Sequence, residues 1–158
     1  MFLFERDVLR QGPRAFKVER EVRFQDVDAA GVIFYPRLLE YFNDAYLALL
    51  SSVGQPLHAS LGKSSWVSPV RHAEADFLRP LRFGDAIEVA LVAVRTSPDP
   101  EPTEVTLGYR ITKVADGETA AVGQVVHTFV DSKTFKRTLI PDTIVEVYRR
   151  LMGLPSPE

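Results

Sequence analysis

The chain has 158 residues, of which 46% are hydrophobic and 25% are charged, values typical of one globular domain. A formal net charge of −2 excludes the overall basic field expected of a nucleic-acid-binding protein. The sequence contains no cysteine, which excludes a disulfide framework, a thiolate metal site and a cysteine nucleophile. The early charge of Glu5 and the lack of an apolar run near about 20 residues indicate neither a secretory leader nor a membrane span. We therefore expect a cytoplasmic protein with no membrane or nucleic-acid partner.

The first half of the chain predicts one strand followed by one long helix. Residues 1–16 form an N-terminal extension to which we assign no element. Alternating apolar residues over 16–24 predict a strand, and residues 25–35 break that period as a loop. Pro36 suits the first position of a helix, and the apolar residues after it follow helical spacing. We predict that this helix ends near Val53, just before a glycine.

The second half predicts a loop over residues 55–65 and then a run of strands joined by short turns. The predicted strands cover residues 67–77, 86–94, 104–114 and 119–130. A short helix over residues 141–150 and a C-terminal tail over 151–158 complete the chain. The whole chain is then one α+β domain, in which a curved antiparallel sheet packs around the long helix.

The residue types that carry chemistry cluster between the first strand and the helix. Asp26 and Asp28 lie there, followed by a turn at Gly31 and the helix start at Pro36. Free N–H groups at a helix start polarise a carbonyl and stabilise an oxyanion, and a nearby carboxylate supplies a nucleophile or a general base. The alternative is that the two aspartates only stabilise a loop by Asx turns.

Residues 26–36, which read Asp-Val-Asp-Ala-Ala-Gly-Val-Ile-Phe-Tyr-Pro, resemble the signature loop of hotdog-fold thioesterases of the 4-hydroxybenzoyl-CoA thioesterase type. Residues 77–85, Phe-Leu-Arg-Pro-Leu-Arg-Phe-Gly-Asp, resemble the second strand and turn of the same family. The two matches together most resemble the 1,4-dihydroxy-2-naphthoyl-CoA hydrolases. We refer to residues 26–36 as the signature loop.

The resemblance implies a role for particular residues. Asp28 is the expected catalytic carboxylate, and the backbone amide of Tyr35 is expected beside the thioester carbonyl. Asp26 is expected to shape the loop. Phe34, Trp66 and Val67 are expected to line the acyl pocket together with Tyr35.

Coenzyme A is part of the substrate, so no separate cofactor or metal is expected. Its phosphates require cations near the pocket mouth. The candidate cations lie after strand ends and at the turn of the second match: Arg95, Lys133, Lys136 and Arg137, with Arg79 and Arg82 as further candidates. Each of them singly is equally well explained as an ordinary surface charge.

Other sites remain open from the sequence. Some hotdog thioesterases use a helix carboxylate, but the helical spacing turns Glu40 and Asp44 away from the apolar stripe. His72, Glu74 and Asp76 share one strand face and offer a metal site, although such a face is more often simply polar. A serine hydrolase elbow is not present in the sequence.

The sequence therefore predicts hydrolysis of an acyl- or aryl-CoA thioester, with 1,4-dihydroxy-2-naphthoyl-CoA, an intermediate of phylloquinone and menaquinone synthesis, as the first candidate. A 4-hydroxybenzoyl-CoA or short-chain acyl-CoA thioesterase is the alternative enzyme. A hotdog protein that binds acyl groups without turnover is the alternative from another class. The resemblance also implies a homodimer or homotetramer with pockets at the subunit interfaces.

Overall fold

The computed structural model describes residues 3–153. The helices are α1 (Arg6–Gln11), α2 (Pro36–Ser52), α3 (Leu57–Ser60) and α4 (Asp142–Leu151), with a 3₁₀ turn at Phe24–Asp26. The strands are β1 (Phe16–Glu21), β2 (Trp66–Val67), β3 (Val70–Phe77), β4 (Ala86–Thr96), β5 (Glu104–Lys113), β6 (Thr119–Thr128) and β7 (Val130–Asp131). The predicted order of one strand, one long helix and then a run of strands is confirmed.

Five strands form one antiparallel sheet in the order β1-β4-β5-β6-β3, and β2 pairs with β7 in a separate two-stranded ribbon. The antiparallel α+β architecture is therefore confirmed. Strand β3 is an edge of the sheet, and its free side has no strand partner within residues 3–153. The signature loop lies at the end of β3 that carries Phe77, because the Ile33 N–H donates to the Leu81 carbonyl at 2.8 Å.

Helix α2 lies against the inner face of the sheet through one buried stripe that includes Leu38, Phe42 and Leu49. The Phe42 ring stacks on Tyr109 of β5 with 4.7 Å between ring centroids. Gly123 of β6 makes this close approach possible, since a Cβ atom there would lie 2.5 Å from Cε2 of Phe42. The absence of a side chain at Gly123 therefore allows α2 to pack close to the sheet.

The outer face of the sheet is covered by α1, to which the sequence analysis assigned no element. Leu9 and Phe4 form a small apolar cluster with Ala90, Val92 and neighbouring strand residues. The Phe4 N–H donates to the side chain of Gln124 at 2.7 Å, and the Arg110 guanidinium donates to the Arg10 carbonyl at 2.6 Å. A helix of six residues is too short to show a clear helical period, so its packing and not its sequence pattern reveals it.

Three smaller differences from the sequence analysis have local causes. The strand predicted over residues 67–77 is divided into β2 and β3 at Ser68-Pro69, where the proline has no N–H to donate. The predicted loop over 55–65 contains α3, and the end of the first predicted strand forms the 3₁₀ turn. Residues 154–158 of the predicted tail lie outside the described residues. Within residues 3–153, no helix has the length and apolar character needed to cross a bilayer.

Candidate functional site

The signature loop folds back on itself as a closed hairpin-like turn. Val27 and Ile33 form an isolated antiparallel bridge, and the Asp28 N–H donates to the Val32 carbonyl at 2.9 Å. Gly31 has a φ of +78°, a conformation that glycine adopts without steric cost. The loop therefore holds Asp28 in a defined position just before the start of α2.

The Asp28 carboxylate is exposed and only half engaged. Its Oδ1 accepts a hydrogen bond from the Ala30 N–H at 2.8 Å, which is an Asx turn of the kind the sequence left open. Its Oδ2 has no hydrogen-bond or ion-pair partner among residues 3–153. One oxygen thus fixes the side chain, while the other is free to act on a ligand or a water molecule.

The backbone N–H of Tyr35 is the free donor at the start of α2. Pro36 has no N–H, the Arg37 N–H donates to the Phe34 carbonyl at 2.9 Å, and the Leu38 N–H donates to the Tyr35 carbonyl at 3.3 Å. The Tyr35 N–H itself donates to no acceptor within the described part of the chain. A single amide at the positive end of the helix dipole is thereby available for a carbonyl oxygen.

Asp26 is completely buried beneath the loop. Its Oδ2 accepts hydrogen bonds from the Tyr41 hydroxyl at 2.7 Å and from the Arg23 N–H at 3.0 Å, and its carbonyl accepts the Phe34 N–H at 2.8 Å. Burial disfavours the charged carboxylate, but these donors and the Arg23 guanidinium outweigh it and lower the pKa of Asp26. Asp26 therefore connects the loop to α2 rather than facing solvent.

Tyr41 is a site-supporting residue that the sequence analysis missed. It is 1% exposed, and the guanidinium of Arg20 lies 3.7 Å from the centroid of its ring. Tyr41 comes three residues after Leu38 and four before Ala45, which are both buried, a spacing that places it on the same side of the helix. A tyrosine buried there needs a partner for its hydroxyl, which is the signal that would have found its bond to Asp26.

An apolar cavity of about 350 Å³ lies beside the signature loop, with Tyr35 among its lining residues. Val32, Ile33 and Tyr35 line it from the loop, and the run from Phe77 to Leu81 lines it from the end of β3. We call it the loop cavity. One of its walls, Val32, accepts the hydrogen bond from the Asp28 N–H, so the cavity adjoins the turn that carries Asp28.

The residues predicted to line the acyl pocket do not all meet in one chain. Phe34 is 45% exposed and its ring lies 5.3 Å from that of Tyr35. Trp66 and Val67 pair with β7 and precede β3, so they lie at the end of β3 opposite the signature loop. At about 3.3 Å per residue, the eight residues of β3 separate these two groups by about 25 Å.

The predicted cations are divided in the same way. Arg79 is engaged by Asp116 and Glu118, at 3.1 and 3.0 Å, whereas Arg82 follows Leu81 beside the loop. Arg95 lies on the outer face, with its guanidinium 4.7 Å from the ring centroid of Phe4.

The remaining cations follow β7 at the far end of β3. The side chain of Arg137 pairs with Glu104 at 3.1 Å, and Arg71 pairs with the same buried carboxylate. Lys133 and Lys136 are exposed, and neither forms an ion pair with any residue in 3–153. The buried Glu104 that organises this cluster was not singled out from the sequence, because an acidic residue at a strand start usually faces solvent.

The alternative carboxylates on α2 and the polar face of β3 that carries His72 form contacts at the protein surface. Glu40 and Asp44 are exposed, and they accept hydrogen bonds from Arg37 and Arg20 at 2.6 and 2.7 Å. On the outer face of β3, the His72 ring lies 3.0 Å from a Glu74 oxygen, and Asp76 pairs with Arg6 of α1 at 2.8 Å. No group of three or more potential ligands is placed to hold a metal ion within residues 3–153.

Comparison with known proteins identifies the family of the chain. The model of the family described as the thioesterase-like superfamily matches residues 22–147. A 1,4-dihydroxy-2-naphthoyl-CoA hydrolase from Synechococcus elongatus is 30% identical over 130 residues, which is 82% of this chain and 91% of that protein. The hydrolase of the same name from Rippkaea orientalis is 32% identical over 128 residues, 80% of this chain and 90% of that protein.

Two solved structures have the same fold. Slr0204, a 1,4-dihydroxy-2-naphthoyl-CoA thioesterase from Synechocystis, aligns with a TM-score of 0.78 and 25% identity over 90% of this chain and 98% of that one. The gentisyl-coenzyme A thioesterase BH1999 aligns with a TM-score of 0.70 and 25% identity over 82% of this chain and 98% of that one. The predicted hotdog fold is confirmed, and the family match spans α2, the signature loop and every strand of the sheet except β1. The chain is therefore a member of the thioesterase-like superfamily.

Proposed function

We propose that this protein hydrolyses an aryl-coenzyme A thioester, with 1,4-dihydroxy-2-naphthoyl-CoA of phylloquinone or menaquinone synthesis as its preferred substrate. The observation that carries the proposal is the pairing of a half-engaged carboxylate, Asp28, with the free N–H of Tyr35 beside an apolar cavity. Relatives that share 30–32% identity over most of the chain bear the name of that activity.

In the proposed reaction, the thioester carbonyl oxygen accepts a hydrogen bond from the Tyr35 N–H. Negative charge develops on that oxygen as the carbonyl carbon is attacked, and the amide at the helix start stabilises it. Asp28 either attacks the carbon itself or takes a proton from the attacking water. When Asp28 attacks, the carbon–sulfur bond breaks, coenzyme A leaves as its thiolate, and water then hydrolyses the mixed anhydride between Asp28 and the acyl group. When water attacks, the intermediate loses the coenzyme A thiolate directly, and the proton taken up by Asp28 passes to that thiolate or to solvent.

A hydroxybenzoyl thioester is the second candidate substrate. The likeness to BH1999, named a gentisyl-coenzyme A thioesterase, supports an acyl group with a single hydroxylated ring. Both candidates place an aromatic acyl group in the apolar site and a coenzyme A tail at its mouth. They differ in the length of the ring system that the protein accepts.

We propose that two copies of the chain join their β3 edges into one continuous sheet. An unpaired edge strand is prone to unwanted pairing, and a two-fold axis beside the middle of β3, perpendicular to the sheet, would join the two strands antiparallel. The Phe77 end of one copy would then lie beside the Val70 end of the other. Trp66, Val67 and the cationic segment after β7 would thereby approach the Asp28 loop of the second copy.

In this arrangement, predicted cations from both copies would bind the same coenzyme A. Lys133 and Lys136 of one copy and Arg82 of the other would face the phosphates of coenzyme A from both sides of the interface. Arg137 would be held by Glu104 at the same place. We further propose that hydrolysis needs no metal or cofactor, and that it takes place in the cytoplasm, since coenzyme A thioesters are intracellular metabolites.

A thiol-release assay in EDTA-containing buffer tests the proposal. The substrates are the coenzyme A thioesters of dihydroxynaphthoate, hydroxybenzoate, benzoate and a short straight-chain acid. We expect the highest kcat/KM for the dihydroxynaphthoyl thioester. The Asp28→Asn variant, which keeps the shape and removes the charge, should lose about 10²-fold or more in kcat, because a nucleophile or general base is lost.

Asp44→Asn and Glu40→Gln are the matched controls. Both carboxylates are exposed and lie on the solvent side of α2, so kcat should stay within about threefold of the wild type, as is usual for surface ion pairs. A folded Asp28→Asn protein with near wild-type kcat would contradict the assignment of Asp28. Equal kcat/KM for the naphthoyl and the straight-chain thioesters would contradict the aryl preference.

A further inference from the structure

Phe135 occupies a backbone conformation that its side chain disfavours. Its φ is +56°, and every other residue with a positive φ within residues 3–153 is a glycine. In this left-handed region the Cβ atom of an L-residue crowds the backbone, a strain that glycine avoids. The Phe135 side chain is nevertheless 66% exposed, so burial within the chain does not offset the strain. Such an outlier indicates that the ring has a function outside the fold.

Phe135 lies in a turn over residues 131–136, which we call the basic turn. Inside it, Oδ1 of Asp131 accepts hydrogen bonds from the N–H and the hydroxyl of Thr134, at 2.7 and 3.0 Å. The main chain closes the turn, since the Phe135 N–H donates to the Asp131 carbonyl at 2.9 Å and the Asp131 N–H donates to the Lys136 carbonyl at 2.8 Å. These hydrogen bonds hold the Phe135 ring at a defined place on the surface.

Two cations flank the exposed ring. Lys133 and Lys136 come two residues before and one residue after Phe135, both are exposed, and neither forms an ion pair with a residue of the described range. The next cation, Arg137, is instead paired with Glu104 at 3.1 Å. A single exposed apolar side chain would need no explanation. A strained aromatic ring between two unpaired ammonium groups, however, matches a ligand that combines a planar base with phosphates.

The basic turn lies where the proposed assembly would place the tail of coenzyme A. It follows β7, whose Val130 pairs with Val67 of β2, and β2 precedes the Val70 end of β3. Two β3 edges joined antiparallel would bring this end of one copy beside the Phe77 end, and thus the signature loop, of the other. A thioester held at that loop would then extend its flexible pantetheine arm towards the basic turn of the second copy.

We propose that Phe135 is a stacking platform for the adenine base of a coenzyme A thioester, with Lys133 and Lys136 bound to its phosphates. The inference rests on the proposed function for the identity of the nucleotide. Every base offers a π-face to an aromatic ring, and the two ammonium groups neutralise phosphate charge. The site holds a part of the substrate that does not react, so it increases affinity without contributing to bond cleavage. Phe135 thereby selects substrates that carry a nucleotide.

The test compares ligands that contain the nucleotide with ligands that lack it. Calorimetry measures the binding of coenzyme A and of pantetheine, and kinetics compares the coenzyme A and N-acetylcysteamine thioesters of one acid. Phe135→Leu keeps an apolar side chain and removes the ring, so it should weaken coenzyme A binding about fivefold or more, the usual effect of losing one base–aromatic stack. Pantetheine binding and kcat for both thioesters should stay within about threefold of the wild type, because a remote contact changes KM rather than kcat.

Phe24→Leu is the matched control for an exposed ring. Phe24 is 76% exposed and contacts Phe83 with 5.9 Å between ring centroids, so its loss should leave coenzyme A binding unchanged. Phe135→Trp restores an aromatic face and should bind coenzyme A within about threefold of the wild type. Equal coenzyme A affinities of the wild type and Phe135→Leu would overturn the inference and leave the proposed function intact. Weaker binding in Phe24→Leu alone would overturn it as well.

A glycine at the same position separates binding from folding. Phe135→Gly relieves the left-handed strain but gives the unfolded chain more freedom, so it should unfold near the wild-type urea concentration while it loses affinity for coenzyme A. A marked loss of stability, or a weaker dimer with unchanged coenzyme A affinity, would show that the ring serves the fold or the subunit contact and would overturn the inference. A protein that binds coenzyme A through Phe135 but hydrolyses no thioester would overturn the proposed function alone.

Discussion

The two aspartates of the signature loop have separate physical tasks because their surroundings differ. Asp26 is fully buried and accepts donors from α2 and from the preceding turn, whereas Asp28 is exposed with one oxygen free. The sequence places both residues in one short motif, and only the resemblance to a family separates their roles. Burial and hydrogen bonding separate them physically.

At the level of single residues, we predict that Tyr41→Phe destabilises the protein by about 1.5–3 kcal/mol. The substitution removes the donor to a buried carboxylate and leaves that charge less well satisfied. Urea unfolding at pH 7 measures the change. Tyr35→Phe is the control for stability, because the Tyr35 side chain is 69% exposed, and it should unfold at the wild-type urea concentration.

The same variant should change the dependence of stability on acid. The folded pKa of Asp26 is lowered, so its contribution is complete above the unfolded pKa of about 3.9 and is lost as the pH falls through the folded pKa. Without the Tyr41 hydroxyl the folded pKa rises towards the ordinary value. Stability should therefore fall less steeply below about pH 4 in Tyr41→Phe. An identical acid profile would show that Tyr41 does not stabilise the charged form.

Among the elements, α2 and the long strands could be predicted from the sequence, whereas α1 could not. Helix α2 has a proline at its start and a regular buried stripe over 17 residues. The short α1 has one buried residue, Leu9, and is held by contacts with strands that lie about 80 to 120 positions away in the chain. Such contacts leave no local pattern in the sequence.

We predict that Leu9→Ala lowers the free energy of unfolding by about 2–5 kcal/mol, the usual range for removing a buried leucine side chain. Leu9 is 3% exposed and lies in the small apolar cluster on the outer face of the sheet. Val8→Ala is the matched control, since Val8 is 44% exposed on the same helix and should have little effect. Denaturant unfolding measures both variants. Equal stabilities would contradict the docking of α1 on the sheet.

Catalytic activity provides a second readout for these two variants. Helix α1 packs on the outer face of the sheet, whereas α2 lies on the inner face. Folded Leu9→Ala protein should therefore keep a kcat close to that of the wild type. The apolar cluster on the outer face would then contribute to stability but not to catalysis.

For the whole molecule, the sequence predicts the fold and the catalytic motif but not how distant residues come together. The position of Trp66 at the opposite end of β3 from Asp28 depends on how the strands pair, which no local pattern specifies. The free edge of β3 is likewise a property of strand order. The proposed assembly accounts for both features, because it brings the two ends of β3 together from different copies.

We predict that sedimentation at micromolar concentration shows a dimer or a multiple of it. Val70→Asp should weaken this association, because Val70 is 56% exposed in the single chain and would meet the partner edge. Val114→Asp is the control, since Val114 is 55% exposed and lies in the turn after β5. A wild-type protein that sediments only as a monomer would contradict the shared interface.

The donor at position 35 belongs to the main chain, which has a consequence for how this protein tolerates genetic change. Every coded amino acid except proline supplies the same N–H there, so replacing the tyrosine side chain leaves the donor in place. Alanine scanning would therefore pass over one of the two groups on which the proposed chemistry depends. Mutations at this codon leave the donor in place for the same reason. Only replacement of this amide by an ester, through chemical synthesis, would measure what the backbone N–H contributes to the rate of hydrolysis.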